Sequence, residues 1–154
     1  MYADNPNKVW YAGGKVNSFL GLTKHIGIGE EEKLMKFKTQ DIDYISGCCL
    51  LIKKDLLDKL SGFTEDYKMY YEDVDLCFRA KKYNIQSIVV EDTEILHKVS
   101  HSLGGNRIKK LWLKLCSMLK YIYLNNNIIL FTLALMCHII LAPVYILKVI
   151  YEEI

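Results

Sequence analysis

Twenty consecutive residues near the C-terminus, 128–147 (IILFTLALMCHIILAPVYIL), contain no Asp, Glu, Lys or Arg. At about 1.5 Å per residue, an α-helix of that length spans about 30 Å, the hydrocarbon thickness of a bilayer. His138 and Pro143 are the awkward residues in the run. A neutral His is tolerable there, and proline is accepted in membrane helices. A chain of 154 residues has little core in which to hide a helix that is apolar all round. The run is therefore expected to form a transmembrane or membrane-embedded helix over residues 127–150, the other reading being a buried core helix. Its C-terminal position excludes a secretory signal.

The flanking charges extend this expectation. Arg107, Lys109, Lys110, Lys114 and Lys120 precede the run, and no acid occurs between Glu94 and Glu152. The positive-inside rule then places residues 1–120 on the cytoplasmic side of a cell membrane. Ile108, Leu111, Trp112, Leu115, Leu119, Ile122 and Tyr123 recur at helical spacing, with the bases mainly between them. Residues 106–126 thus read as a basic amphipathic juxtamembrane helix on an anionic surface, or as an ordinary helix packed on the preceding domain.

Composition narrows the class of the remainder. Hydrophobic residues make up 51% and charged residues 25%, so the chain is not disordered. A net charge of +2, with arginine only at positions 79 and 107, argues against nucleic acid as a partner. The five cysteines (48, 49, 77, 116 and 137) are odd in number and show no CxxC spacing. They read as small apolar side chains in a reducing compartment rather than a zinc site or disulfide framework.

Residues 1–40 are rich in glycine and read as loops with close backbone approaches. Residues 43–53 read as a strand, 54–60 as a short helix ended by Gly62 at C′, and 66–71 as an extended aromatic segment. Residues 72–83 read as a helix, and 86–90 and 93–97 as short strands. The order is mixed α/β without an internal repeat.

Three features in this part could carry chemistry. Glu72, Asp73 and Asp75 open a helix, where the macrodipole favours acids. Asp75 and Arg79, four apart, read as a structural ion pair. Glu72 and Asp73 follow Tyr70 and Tyr71, and a carboxylate beside aromatic walls is a candidate general base. His97, at a strand end, is a satisfied structural histidine or completes a divalent-metal site with carboxylates from elsewhere. Trp10 and Tyr11 beside Gly13 and Gly14 suit a sugar-binding cleft or an ordinary packed turn.

As a set these residues become specific. The strings GFTEDYKMYYEDVDLCFRAKK and IVVEDTEILHKVSHSLGG, with NPNKVWYAGGKVN and SGCCLLIKKDLL upstream, resemble the C-terminal half of the catalytic domain of family-2 glycosyltransferases, closest to the rhamnosyltransferase-like group. The resemblance covers about residues 2–105. It implies a partial GT-A-type, Rossmann-like α/β domain, with residues 1–105 forming its acceptor-side half. It implies inverting transfer of a sugar from a nucleotide sugar donor to a cell-envelope glycan or lipid-linked acceptor. In that comparison Asp73 corresponds to the general base, and Glu72 positions the base or the acceptor. His97 corresponds to a ligand of Mg²⁺ or Mn²⁺ on the nucleotide diphosphate. Ser100, and Ser102 beside it, would lie near the diphosphate. Trp10, Gly13 and Gly14 would line the sugar or acceptor cleft, and Tyr70 and Tyr71 the wall beside the base.

The same resemblance implies that a nucleotide-binding half ending in an acidic DxD-type motif stands before these residues. The Asp41-x-Asp43 pair falls after the glycine segment and is given no metal role. The chain alone is therefore expected to be inactive unless a separate chain supplies the N-terminal half. The alternative is a non-catalytic membrane-anchored remnant or interaction module; an unrelated small membrane protein is a third reading.

Overall fold

A computed structural model describes residues 1–32, 42–90, 93–98 and 107–151, with the side chains of the last helix described through residue 144. The architecture is mixed α/β. Strands β1 (Gly14–Asn17) and β2 (Leu22–His25) are followed by helices α1 (Lys54–Lys59), α2 (Glu72–Lys81), α3 (Arg107–Asn125) and α4 (Ile128–Tyr151).

β1 and β2 form an antiparallel hairpin with Gly14 opposite His25 and Asn17 opposite Leu22. The turn is set by Asn17, whose Oδ1 accepts from the Leu20 amide at 2.9 Å. Gly21 follows at φ +67, and a Cβ there would press on Ile122 and Met118 of α3. Glycine is thus required both for the left-handed turn and for the close approach of α3. Residues 1–40, read as loops, therefore contain a hairpin; four-residue strands of mixed polarity leave little periodic signal.

α1 and α2 form as their sequences indicate. α1 ends with Ser61 (φ 58) and Gly62 (φ 69) both left-handed, the Gly62 amide donating to Leu57 O at 2.9 Å. Gly62 thus lies one position further beyond the helix than expected. α2 carries Glu72, Asp73 and Asp75 in its first turn and Arg79 and Lys81 in its last, as the macrodipole favours. It is the hub of the fold. Leu76 and Ala80 pack with Leu60, against Leu50, Ile52, Leu56 and Ile85. Val74 and Cys77 pack instead with Tyr44, Tyr67, Tyr71 and the α3 residues Met118, Tyr121 and Ile122.

The expected Asp75–Arg79 pair forms, with Nε to Oδ2 at 2.8 Å. Asp75 is buried and also accepts from Thr64 Oγ1 at 2.7 Å and Asn125 Nδ2 at 3.2 Å. The Arg79 guanidinium donates further to the carbonyls of Leu60 and Gly62. The pair therefore ties the loop after α1, and the end of α3, to α2.

Several expected elements take another form. Residues 66–71 are turns and bends rather than an extended segment. From residues 43–53 only Tyr44 makes a bridge, to Gly14. Residues 86–90 have no ladder partner among the described residues, and of 93–97 only His97 bridges, in parallel, to Tyr2. Extended backbone becomes a strand only where a neighbour supplies hydrogen bonds.

α3 and α4 form a helical hairpin through Asn126 and Asn127. Asn127 Oδ1 accepts from the Leu130 amide at 2.9 Å and starts α4. The amphipathic reading of α3 holds, but Ser117, Met118, Tyr121 and Ile122 are buried in the domain core, so the helix belongs to the domain. Among the described residues, no helix is long and apolar enough to cross a membrane. The transmembrane reading of residues 127–150 finds no support among the described residues. One face of the helix is packed on protein. Ala134 is fully buried, Phe131 packs on the core, and His138 Nε2 lies 2.8 Å from Leu20 O.

Candidate active site around Asp73

The site is built where α2 begins. Tyr70 (φ 68) and Tyr71 (φ 69), the two residues before the helix, are both left-handed. Such conformations cost about 1–3 kcal/mol each and persist only where surrounding contacts impose them. Here Tyr71 is buried, its hydroxyl donates to Gly21 O at 2.6 Å, and its ring packs 5.6 Å from that of Tyr121. The strained turn aims the first residues of α2 at the loop formed by residues 46–49.

Asp73 meets that loop. Its Oδ2 accepts from the Gly47 amide at 2.8 Å, and its Oδ1 from the Val74 amide at 2.8 Å. Burial raises its pKa above the usual 3.8, while these amide bonds and nearby His25 oppose the rise. The result is a fixed carboxylate more basic than one in water. Glu72 is also raised, chiefly by burial and further by the charge of Asp73. Its Oε2 is buried with no hydrogen-bond partner.

An aromatic group stands nearby. The Trp10 ring lies 4.3 Å from that of His97 and 5.2 Å, edge-on, from that of His25. Tyr11 lies 5.0 Å from His25, edge-on, and donates its hydroxyl to Tyr44 O at 2.5 Å. Burial lowers the His25 pKa below 6.5, the Lys114 ammonium adds to this, and Asp73 opposes it. His25 Nδ1 is buried without a partner. Trp10 and His97 line a groove of about 590 Å³ that also includes Ser46, Cys48 and Cys49.

Over 63 residues the chain is 41% identical to the N-acetylglucosaminyl-diphospho-decaprenol L-rhamnosyltransferase of Mycobacterium tuberculosis, in strains CDC 1551 / Oshkosh and ATCC 25618 / H37Rv. The stretch is 41% of this chain and 20% of that enzyme. The matched stretch is related to glycosyltransferases. A second relative is the low-salt glycan biosynthesis hexosyltransferase Agl10 of Haloferax volcanii, 27% identical over 56 residues, covering 36% of this chain and 18% of that protein. The chain spans about a fifth of the length of the curated relatives it matches. No family model matches it, and no solved structure matches it.

Against this relationship the expected site residues fall into groups. Asp73 and Glu72 start α2, with Tyr70 half-buried beside them. Trp10 and His97 pack ring against ring, tilted by 43°, at the groove. Tyr71 is a core residue that imposes the strained turn. Gly13 and Gly14 are buried, and a Cβ on them would collide with Ile42 and with the Tyr44 ring; they let the hairpin close on residues 42–44. Ser100 and Ser102 lie outside the described residues, as does Asp41. Asp43 is occupied with the Val16 amide and with Lys81.

Gly47 and His25 received no role from the sequence. Gly47 stands in the SGCC string that carries the resemblance, which was a usable signal. His25 had none, because the hairpin that brings it to Trp10 and Tyr11 is a tertiary feature.

Among the described residues, no group of three or more His, Cys, Asp and Glu side chains is placed to hold a metal ion. His97 offers one imidazole, packed at a tilt against Trp10. Mg²⁺ requires a near-octahedral set of oxygen ligands, so the described residues do not by themselves fit such an ion.

Proposed function

We propose that this chain forms the acceptor-side part of an inverting, family-2-type glycosyltransferase with a GT-A-type fold, and that Asp73 is its general base. The observation that carries the reading is the Asp73 carboxylate, held by the Gly47 and Val74 amides, made more basic by burial and placed two residues after a pair of left-handed tyrosines. In the proposed reaction Asp73 takes the proton of an acceptor hydroxyl. The acceptor oxygen then bonds to the anomeric carbon of the donor sugar from the face opposite the leaving group. The bond to the nucleotide diphosphate breaks, and its electron pair leaves with the diphosphate. Glu72 orients the base or the acceptor, Trp10 and Tyr70 offer ring surface to a sugar, and Ser100 belongs to the diphosphate end.

The relatives, a rhamnosyltransferase on a diphospho-decaprenol-linked sugar and a hexosyltransferase of glycan biosynthesis, support a hexose or deoxyhexose donor carried on a nucleotide. They also support a lipid-linked or cell-envelope glycan acceptor. The proposal puts the reaction at the cytoplasmic face of the cell membrane. Dependence on Mg²⁺ or Mn²⁺ is part of the proposal, with His97 the single ligand offered by the described residues, and no step above is routed through the ion. The stretch matched is about a fifth of its relatives, which supports a requirement for further polypeptide to bind the nucleotide; transfer by this chain alone is expected to be absent.

The test is Asp73→Asn in an enzyme reconstituted with the complementary part of a relative. Transfer should fall at least about a hundredfold, as expected for removal of a general base, with thermal unfolding nearly unchanged. Undiminished transfer would remove Asp73 from the mechanism. Turnover of a nucleotide sugar by the 154-residue chain alone would overturn the requirement for a partner.

A further inference from the structure

Cysteine is among the residue types most often buried, and Cys77 follows that habit. It is buried, and its Sγ accepts from the Ile45 amide at 3.4 Å. Cys48 and Cys49 do not follow it. They are adjacent in the chain, both are exposed free thiols, and both line the groove that Trp10 and His97 enter. The reading of the cysteines as small apolar side chains therefore holds for Cys77 and fails for this pair, because an apolar role requires burial.

The loop that carries the pair is a tight turn. The Cys49 amide donates to Ser46 O at 3.3 Å, and the Cys48 amide to Ser46 Oγ at 3.4 Å. Ser46 is buried, whereas Gly47, Cys48 and Cys49 are exposed. Ser46 is thus the anchor, and the three residues after it project. Gly47, between the anchor and the thiols, donates the 2.8 Å bond to Asp73 Oδ2. A bond between the two sulfurs would disturb this arrangement. Consecutive Cα atoms are about 3.8 Å apart, closer than the about 4.4–6.8 Å usual for bridged cysteines. Closing the ring therefore requires the turn to change its backbone angles, and Gly47 lies within that turn.

We propose that Cys48 and Cys49 are a redox modification site: a vicinal dithiol that exchanges with a soluble disulfide of the glutathione type, and whose oxidation loosens the Gly47–Asp73 bond. The thiolate of one cysteine attacks a sulfur of the soluble disulfide, forming a mixed disulfide and releasing one thiolate. The thiolate of the neighbour then attacks the cysteine sulfur of that mixed disulfide, closing the Cys48–Cys49 bond and releasing the second thiolate. The pair loses two electrons, the soluble disulfide gains them, and the two cysteine protons end on the two released thiols. Excess thiol reverses both steps. Exposure gives the access that exchange needs, and the adjacent residue is the resolving thiol. Cys116 is exposed but has no cysteine beside it in the sequence, so it stops at the mixed disulfide. A consequence for catalysis rests on the transferase reading: oxidation would take from Asp73 one of its two fixed donors and lower transfer. The sulfur chemistry itself stands apart from that reading.

The experiment treats the 154-residue chain with oxidised glutathione at about pH 8, where free thiols in general are partly ionised. Disulfides are mapped by mass spectrometry and the Gly47 amide is followed by hydrogen exchange. A peptide spanning Cys48 and Cys49 should become lighter by two hydrogens and recover with dithiothreitol. In the bridged form the Gly47 amide should exchange at least about tenfold faster, as expected for a lost hydrogen bond. Cys48→Ser and Cys49→Ser alter exposed side chains; each variant should carry only a mixed disulfide at the remaining thiol and keep Gly47 exchange slow. The proposal is overturned if the wild type forms only mixed disulfides, if the bridge joins another pair of cysteines, if the Gly47 amide is as protected in the bridged form as in the reduced one, or if the single-serine variants loosen Gly47 equally on treatment. A bridged protein with a loosened Gly47 amide that, once reconstituted, transfers sugar at the rate of the reduced protein would leave the modification site standing and count against the transferase reading of Asp73.

Discussion

The Gly47 amide donates to Asp73 Oδ2 at 2.8 Å, joining a loop to the first turn of a helix 26 residues further along the chain. The Val74 amide holds the other carboxylate oxygen, so each oxygen has one fixed donor and retains capacity to accept another proton or bond. Asp73→Ala should therefore release the loop and destabilise the fold by about 1.5–3 kcal/mol, the range for hydrogen bonds to a charged group. Asp73→Asn should cost less, since the amide oxygen still accepts. Gly47→Ala should be close to neutral, because its Cβ would sit 3.6 Å from Asp73, an ordinary contact. Urea unfolding of the three variants checks the order; an Asp73→Ala protein as stable as wild type would show that the loop is held by other contacts.

Arg79 is expected to be the most sensitive structural position. It bonds buried Asp75 and the carbonyls of Leu60 and Gly62 at once. Arg79→Ala leaves Asp75 buried without its cation, which typically costs about 3–5 kcal/mol. Lysine should not restore the loss, because one ammonium cannot reproduce the planar fork. Thermal unfolding of both variants is the check, and a lysine variant matching wild type would refute the bridging role.

Burial raises the pKa of both Glu72 and Asp73, so their protonated forms are favoured in the fold. The stability they contribute is fully present below their unfolded values and is lost as pH rises through the raised folded values. Glu72→Gln should remove the Glu72 share of this dependence. The variant should be more stable than wild type at about pH 7 and gain little at about pH 4. Denaturant unfolding at the two pH values decides it. A variant less stable at neutral pH would mean that Glu72 Oε2 has a stabilising partner.

Gly21 stands at φ +67 with Ile122 and Met118 against the place a Cβ would occupy. Gly21→Ala combines left-handed strain with displacement of α3 and should destabilise by about 1–2 kcal/mol or more. Gly29 is also left-handed but has open space around it, so Gly29→Ala should show the conformational part alone. If the two variants lose equal stability, the α3 contact contributes nothing.

The helices were legible in the sequence because their causes are local. α2 announces itself by acids at its start, bases at its end and apolar spacing between. The Asp75–Arg79 pair follows from a separation of four, and a basic amphipathic pattern precedes residue 128 where an uncharged apolar run begins. The residues carrying the transferase resemblance were equally readable as strings. The tertiary structure decided what depends on residues far apart. The β1–β2 hairpin brings His25 to Trp10, Gly47 reaches Asp73 across 26 residues, and Tyr71 moves from an expected cleft wall into the core, where Gly21 O receives its hydroxyl. The strands expected at 43–53 and 86–90 show the same division. Period-two patterning is written in the chain, but a strand exists only when a second backbone lies beside it. Residues 128–147 read as a membrane span from composition alone; the packing of Ala134 and His138 on the domain depends on where α3 and the hairpin stand, which hydropathy does not encode.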